Sequence, residues 1–169
     1  VEIREQLSEE NLFAEISAKA AMYPSAFIMF TGGEPLLFGR DRVISSIAEK
    51  LSETTFYVET NGSLKIENFS LKNLRYVVDW KTPSSGEQKS FCRENLEHLR
   101  PGIDCVKIVV SSEDLPFAED ALREIKLANR GLEVFFSPQW GAIGFDELAA
   151  FIVERRLDAA LSLQLHKII

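Results

Sequence analysis

Phe27-Ile28-Met29-Phe30-Thr31-Gly32-Gly33-Glu34-Pro35-Leu36-Leu37 is the stretch on which the reading of this chain turns. A short apolar run bounded by turn residues has the form of a strand buried in a parallel sheet. The two glycines that end it carry no Cβ, so backbone N–H and C=O groups are open to close approach by a ligand. Glu34 sets a negative charge beside that backbone, and Pro35 fixes φ and removes a donor. A ligand with a cationic amine and adjacent polar groups suits this arrangement. Gly-Gly alone is ordinary turn punctuation; the whole string Thr-Gly-Gly-Glu-Pro-Leu is far more specific.

Outward from this stretch, apolar and amphipathic segments alternate. Ser8 caps a first helix that ends before Pro24. A second helix is capped by Asp41 and buries Val43, Ile44, Ile47, Ala48 and Leu51. Thr55–Glu59 reads as a strand by its β-branched and aromatic residues, turning at Asn61-Gly62. Tyr76–Trp80 is the next strand, followed by a polar loop, Lys81–Gly86. A helix over Glu87–Leu99, a strand over Cys105–Val110 and a helix from Pro116 to Asn129, with Gly131 as its C′ residue, come next. Glu133–Phe136 is a fifth strand, Asp146 caps a last helix to Arg156, and Leu161–Leu165 forms a short extra strand. Strands and helices in alternation mean an α/β fold with a parallel sheet. We expect one domain over residues 1–169, an open, partial βα barrel with five parallel strands.

The chain has 169 residues, enough for one domain with a real core. Its formal net charge of −7 argues against nucleic acid as the main partner. No apolar run approaches the roughly 18 residues that span a membrane. Cys92 and Cys105 make no disulfide framework, and their apolar neighbours suggest buried free thiols; a cytoplasmic protein is the expectation. Polar residues gather after the apolar strands, where α/β folds build ligand sites. Gly32, Gly33 and Glu34 follow the first strand, and Glu59 and Asn61 end the second. Asp79, Lys81, Ser84 and Ser85 follow the third, Lys107 lies in the fourth, and Ser137 and Gln139 follow the fifth. Gln164 and His166 lie near the end of the sequence. Each alone has a structural reading as a cap, a surface pair or a solvated side chain; their clustering on one rim favours a site.

Thr31–Leu37, Val58-Glu59-Thr60-Asn61-Gly62, Asp79–Gly86, Val106–Val109, Phe136-Ser137-Pro138 and Leu163-Gln164-Leu165-His166-Lys167, in that order, resemble the 7-carboxy-7-deazaguanine synthase family of radical S-adenosylmethionine (SAM) enzymes. The first motif is general to that superfamily; the second and last narrow the match. The resemblance implies that a [4Fe–4S] cluster reduces SAM to a 5′-deoxyadenosyl radical, which takes hydrogen from C6 of 6-carboxy-5,6,7,8-tetrahydropterin. A Mg²⁺-assisted ring contraction with loss of ammonia then gives 7-carboxy-7-deazaguanine, in queuosine and deazapurine biosynthesis.

By the same resemblance, Gly32, Gly33 and Glu34 meet the methionine end of SAM. Lys81, Ser84 and Ser137 are candidates for its ribose, carboxylate and adenine. Glu59 and Asn61 take the pterin, Glu59 by two parallel N–H bonds, while Gln164 and His166 hold the substrate from the C-terminal side. An electron donor such as flavodoxin or ferredoxin and a homodimer are implied, with no nucleic-acid or membrane partner. The family's Cys-x3-Cys-x2-Cys cluster motif is absent, and Fe–S clusters bind through sulfur. The expectation is a piece lacking its first strand, cluster loop and Mg²⁺-ligating Thr, inactive by itself. Two other readings are a radical SAM activating enzyme acting on a protein glycine and a cluster-free SAM- or nucleotide-binding domain.

Overall fold

A computed structural model describes residues 7–67 and 69–163. The fold class is α/β: six parallel strands follow one another in chain order, β1 to β6. The described residues fall into two compact units. The first holds residues up to Thr60 together with Glu67–Tyr76; the second holds Asn61–Ile66 and the chain from Val77 onward.

In the first unit, α1 (Glu9–Met22) begins at Ser8, whose hydroxyl accepts the Asn11 N–H at 3.2 Å. That bond satisfies one of the free donors of the first turn, where Glu9 and Glu10 also meet the positive end of the helix dipole. Strand β1 (Phe27–Phe30) runs parallel to β2 (Thr55–Thr60), with Phe27 opposite Thr55 and Phe30 opposite Val58. Helix α2 (Arg40–Lys50) buries Ile44, Ile47 and Ala48. Its N-cap is Gly39, not the expected Asp41. A 3₁₀ turn, Leu37–Gly39, leads straight into the helix, so Asp41 is already helical and serves in the first turn instead. At the other end of α2 the Asn73 amide donates to the carbonyls of Ala48, Leu51 and Thr54 at 2.9–3.2 Å.

Strand β1 departs from the expected fully buried strand. Phe27 is 59% and Met29 42% exposed. Side chains alternate across a strand, so Phe27 and Met29 share a face with Tyr57 and Glu59, while Phe56 and Val58 on the opposite face are fully buried.

The same alternation governs the second unit. The latter half of β3 (Leu74–Asp79) pairs with β4 (Cys105–Val110), β4 with β5 (Glu133–Pro138), and β5 with the short β6 (Ala160–Leu161). Val78, Trp80, Val106, Ile108, Val110, Val134 and Phe136 are buried, with α4 (Leu115–Ala128) and α5 (Phe145–Glu154) supplying Ala118, Ala121, Leu122, Ile125, Leu148 and Ile152 to the core. The residues of opposite parity (Asp79, Lys81, Cys105, Lys107, Val109) are only half-buried. One face of the strands is therefore core, and the other is free to carry charge. Cys92 and Cys105 form no disulfide and are half-buried, less enclosed than expected.

Several expected boundaries change. In place of a helix over Glu87–Leu99 there is a 3₁₀ turn, Gln88–Ser90, and a single-turn helix, α3 (Asn95–His98). Between them the extended Phe91 stacks on Trp80 with ring centroids 4.1 Å apart. Fully buried Asn95 donates to Leu64 O and accepts from Ile66 N–H, both at 2.9 Å, which fixes the turn. The C-cap of α4 is Asn129, whose amide donates to Leu96 O and Leu99 O, so the expected left-handed Gly131 is not needed. Helix α5 is capped at Gly144 and ends at Glu154, with Asp146 inside its first turn. Strand β6 starts at Ala160, one residue before the expected Leu161, and the described chain ends at Leu163, so the last two residues of the expected strand are not covered.

Candidate functional site

The loop after β1 holds its shape through one carboxylate. Glu34 is 6% exposed, and its Oε1 accepts the Leu36 N–H at 3.1 Å and the Thr60 hydroxyl at 2.7 Å. Its charge is thus engaged in the frame of the loop. Gly32 and Gly33 are exposed at φ 88° and 59°, and a Cβ on either would meet nothing within 4 Å. Open backbone in a left-handed turn is what a ligand needs to approach main-chain groups. Glu59 is half-buried, and its Oε2 accepts the Thr31 hydroxyl at 3.1 Å.

A cavity of about 430 Å³ adjoins this loop, lined by Phe30, Thr31, Gly32, Pro35, Phe38 and Arg40 among others. Phe38 is 88% exposed at φ 60°, a region that bulky side chains rarely occupy, and the Arg40 guanidinium lies 5.9 Å from its ring. No feature of the sequence pointed to Phe38.

In the second unit Asn61 and Gly62 make the expected turn. Asn61 Oδ1 accepts the Ser63 N–H at 2.9 Å, and Gly62 has φ 68°. Glycine is required at 62, because a Cβ there would lie 2.6 Å from Val78 Cγ1 and 2.8 Å from the Phe91 ring. Asp79 and Lys81 stand at the end of β3, with Lys81 Nζ donating to Asp79 Oδ2 at 2.6 Å. Ser84 is exposed on the following 3₁₀ turn, Pro83–Ser85.

Ser84 is held by Asp114. Its hydroxyl donates to Asp114 Oδ2 at 2.6 Å and its N–H to Oδ1 at 3.1 Å. Ser111 adds its hydroxyl at 2.7 Å and its N–H at 3.2 Å, closing a capping box ahead of α4. Burial alone would raise the Asp114 carboxyl, but the hydrogen bonds from Ser84 and Ser111 outweigh it and hold the group below the ordinary carboxylate range. Reading the sequence missed Asp114, although Ser111-x-x-Asp114 is a recognisable cap spacing. Ser137 differs from the others: it is fully buried, and its hydroxyl donates to Ser162 O at 3.1 Å. Gln164 and His166 lie outside the described residues.

Lys81 supplies an accessible cation and Ser84 an accessible hydroxyl, both suited to the polar groups of SAM. An iron–sulfur cluster is another matter. The sequence contains two cysteines, and among the described residues no group of three or more His, Cys, Asp or Glu side chains could hold a metal ion. These residues do not fit the cluster or Mg²⁺. Among the described residues no helix is long and apolar enough to cross a membrane.

No family model matches the chain. Individual relatives do. The chain is 34% identical to the 7-carboxy-7-deazaguanine synthase of Koribacter versatilis over 179 residues, covering 97% of this chain and 76% of that protein. It is 34% identical to the enzyme of the same name from Clostridium acetobutylicum, covering 84% of this chain and 65% of the relative. With the one from Methanospirillum hungatei it shares 33%, covering 92% and 64%. The chain thus spans between 64% and 76% of the length of these relatives. Its fold is that of the crystal structure of QueE from Escherichia coli, with a TM-score of 0.68 at 20% identity over 94% of this chain and 64% of that one. Similarity of this extent, 34% identity over 97% of the chain, places it in the 7-carboxy-7-deazaguanine synthase family.

Proposed function

We propose that the protein performs the ring contraction of 6-carboxy-5,6,7,8-tetrahydropterin to 7-carboxy-7-deazaguanine, with loss of ammonia, in queuosine and deazapurine biosynthesis. The observation that carries this reading is the 34% identity to a synthase of that name over 97% of the chain. Members of this family are radical SAM enzymes, so SAM and an iron–sulfur cluster belong to the reaction. SAM at such a cluster would supply the radical chemistry, and the cluster's ligands are not among the described residues.

What this chain contributes is binding and orientation. The open backbone of Gly32 and Gly33 receives the methionine end of SAM, and the buried Glu34 carboxylate keeps that loop in shape. Lys81 and Ser84 bind further polar groups of SAM, Ser84 being fixed from behind by Asp114. Ser137, buried on β5, supports the site through its bond to Ser162. Glu59 reads the N–H edge of the pterin, since a carboxylate accepts two parallel N–H bonds. Asn61, Gln164 and His166 complete the substrate contacts, and a flavodoxin or ferredoxin supplies the electron to a homodimer; Mg²⁺, for which the described residues offer no ligand set, would assist the ring contraction.

The test is an anaerobic assay of the full-length, reconstituted protein with reductant, SAM, Mg²⁺ and the carboxytetrahydropterin. Formation of 7-carboxy-7-deazaguanine is the expected result. Cleavage of SAM with the pterin left unchanged would overturn the substrate assignment and favour an activating enzyme that acts on a protein glycine.

A further inference from the structure

Asp79 and Lys81 lie two residues apart at the C-terminal end of β3, so both side chains project from the half-buried, chemistry-bearing face of the strand. The Asp79 side chain is 14% exposed and that of Lys81 39%, so the carboxylate sits beneath the ammonium it binds at 2.6 Å. Only one of its oxygens has that partner. Asp79 Oδ1 is buried and receives no hydrogen bond among the described residues. Carboxylate oxygens withdrawn from water are normally supplied with donors, because an unmatched one is unfavourable. Lys81 is the mirror case: an ammonium has three N–H donors, and among the described residues one of them is engaged. Side by side, then, stand a donor and an acceptor with capacity left over. A group that both accepts from the ammonium and donates to the carboxylate completes the pair.

We propose that Asp79 is a positioning residue of the ligand site. Its Oδ2 fixes the Lys81 ammonium, and its Oδ1 completes the polar seat that the pair presents to bound SAM. This rests on the SAM-binding reading above. The pair acts as a unit: with Asp79 gone, Lys81 is an unanchored flexible cation, and with Lys81 gone, Asp79 is a buried charge that repels an anionic group.

The experiment has two arms on the full-length holoprotein. In the first, SAM affinity is measured for wild type, Asp79→Ala, Lys81→Ala and the double variant, with Asp79→Asn as the conservative member. Each single alanine variant should weaken binding about tenfold, as expected for a charge-assisted contact, and the double variant should be little worse than either. Asp79→Asn, which keeps the shape and an acceptor, should recover part of the loss. In the second arm, without SAM, the Lys81 ammonium resonance in an ¹⁵N-lysine spectrum should be visible in wild type and lost in Asp79→Ala. Additive losses, or a resonance unchanged by the substitution, would overturn the proposal even though SAM binds. Failure of wild type to bind SAM, with the resonance behaving as described, would remove the SAM reading and with it the role given to the pair.

Discussion

The second unit treats two carboxylates in opposite ways. Asp114, ahead of α4, is 1% exposed and accepts four hydrogen bonds, two each from Ser84 and Ser111. Asp79, at the end of β3, accepts one from Lys81 and, among the described residues, keeps a buried oxygen without a donor. The difference separates frame from site. A carboxylate whose acceptors are all filled from within the protein holds two loops together and has nothing left for a ligand. One that is half-filled keeps an acceptor for a donor from outside the protein, a ligand or a water. The proposed SAM-binding residue Ser84 stands on the frame, whereas Lys81 stands beside the unfilled seat.

The contrast breaks most readily at Asp114. Asp114→Ala removes the acceptor of four bonds and leaves the N–H groups of Ser84 and Ser111 unmatched. The expected loss is about 3 kcal/mol of unfolding free energy, read as a lowered urea midpoint. A loss below about 1 kcal/mol would mean that water replaces the carboxylate easily, and Asp114 would no longer define the frame.

Acid should undo the same network without a mutation. The folded-state pKa of Asp114 is depressed. Its contribution is therefore fully present above the ordinary carboxylate value of about 3.9. It is lost as pH falls from there through the lower folded value, where the carboxylate protonates. Wild-type stability should decline over that acid range more steeply than that of Asp114→Asn, which has no charge to lose. Parallel pH profiles would exclude Asp114 as the source.

Within the network the two serines should differ. Ser111 is 4% exposed and Ser84 lies at the surface, so Ser111→Ala is expected to cost about 1.5 kcal/mol and Ser84→Ala less. If Ser84→Ala costs as much but leaves SAM affinity untouched, Ser84 belongs to the frame alone.

Part of this was legible in the sequence. Strand order followed from apolar runs alternating with amphipathic ones, and Ser8 and Pro24 bracketed α1 because caps and prolines act locally. The loops after the strands were legible for the same reason: Gly-Gly, Asn-Gly and Pro-Ser-Ser are local turn chemistry. What stayed hidden depends on distant contacts. Ser84 meets Asp114 only after β4 has been laid beside β3, and no spacing in the sequence announces that pair. The extended Phe91 between two short turns answers to Trp80, against the helical pattern of its own segment. Glu34 carries the motif that suggested a ligand carboxylate, yet its Oε1 faces Leu36 and Thr60. The half-burial of Cys105 and Lys107 reflects a sheet face left open, which their neighbours in sequence do not encode.

The smallest expected change is the sharpest test of the comparison. Asp79→Asn leaves the side chain's shape intact, keeps one oxygen to accept from Lys81, and replaces the other with an NH₂. What disappears is a charge whose partner is 39% exposed, and pairs of this kind contribute at most about 1 kcal/mol. The unfavourable burial of an unmatched anionic oxygen disappears with it. The two effects oppose each other, so the urea midpoint should move by the equivalent of no more than about 0.5 kcal/mol. Asp114→Asn, in contrast, would turn an NH₂ toward donors that need an acceptor, and it should be clearly destabilising. A loss of 2 kcal/mol or more from Asp79→Asn would show that the strand end depends on that charge for its own stability. Asp79 would then be frame in the same sense as Asp114, and the division between a filled and an unfilled carboxylate would no longer separate structure from site.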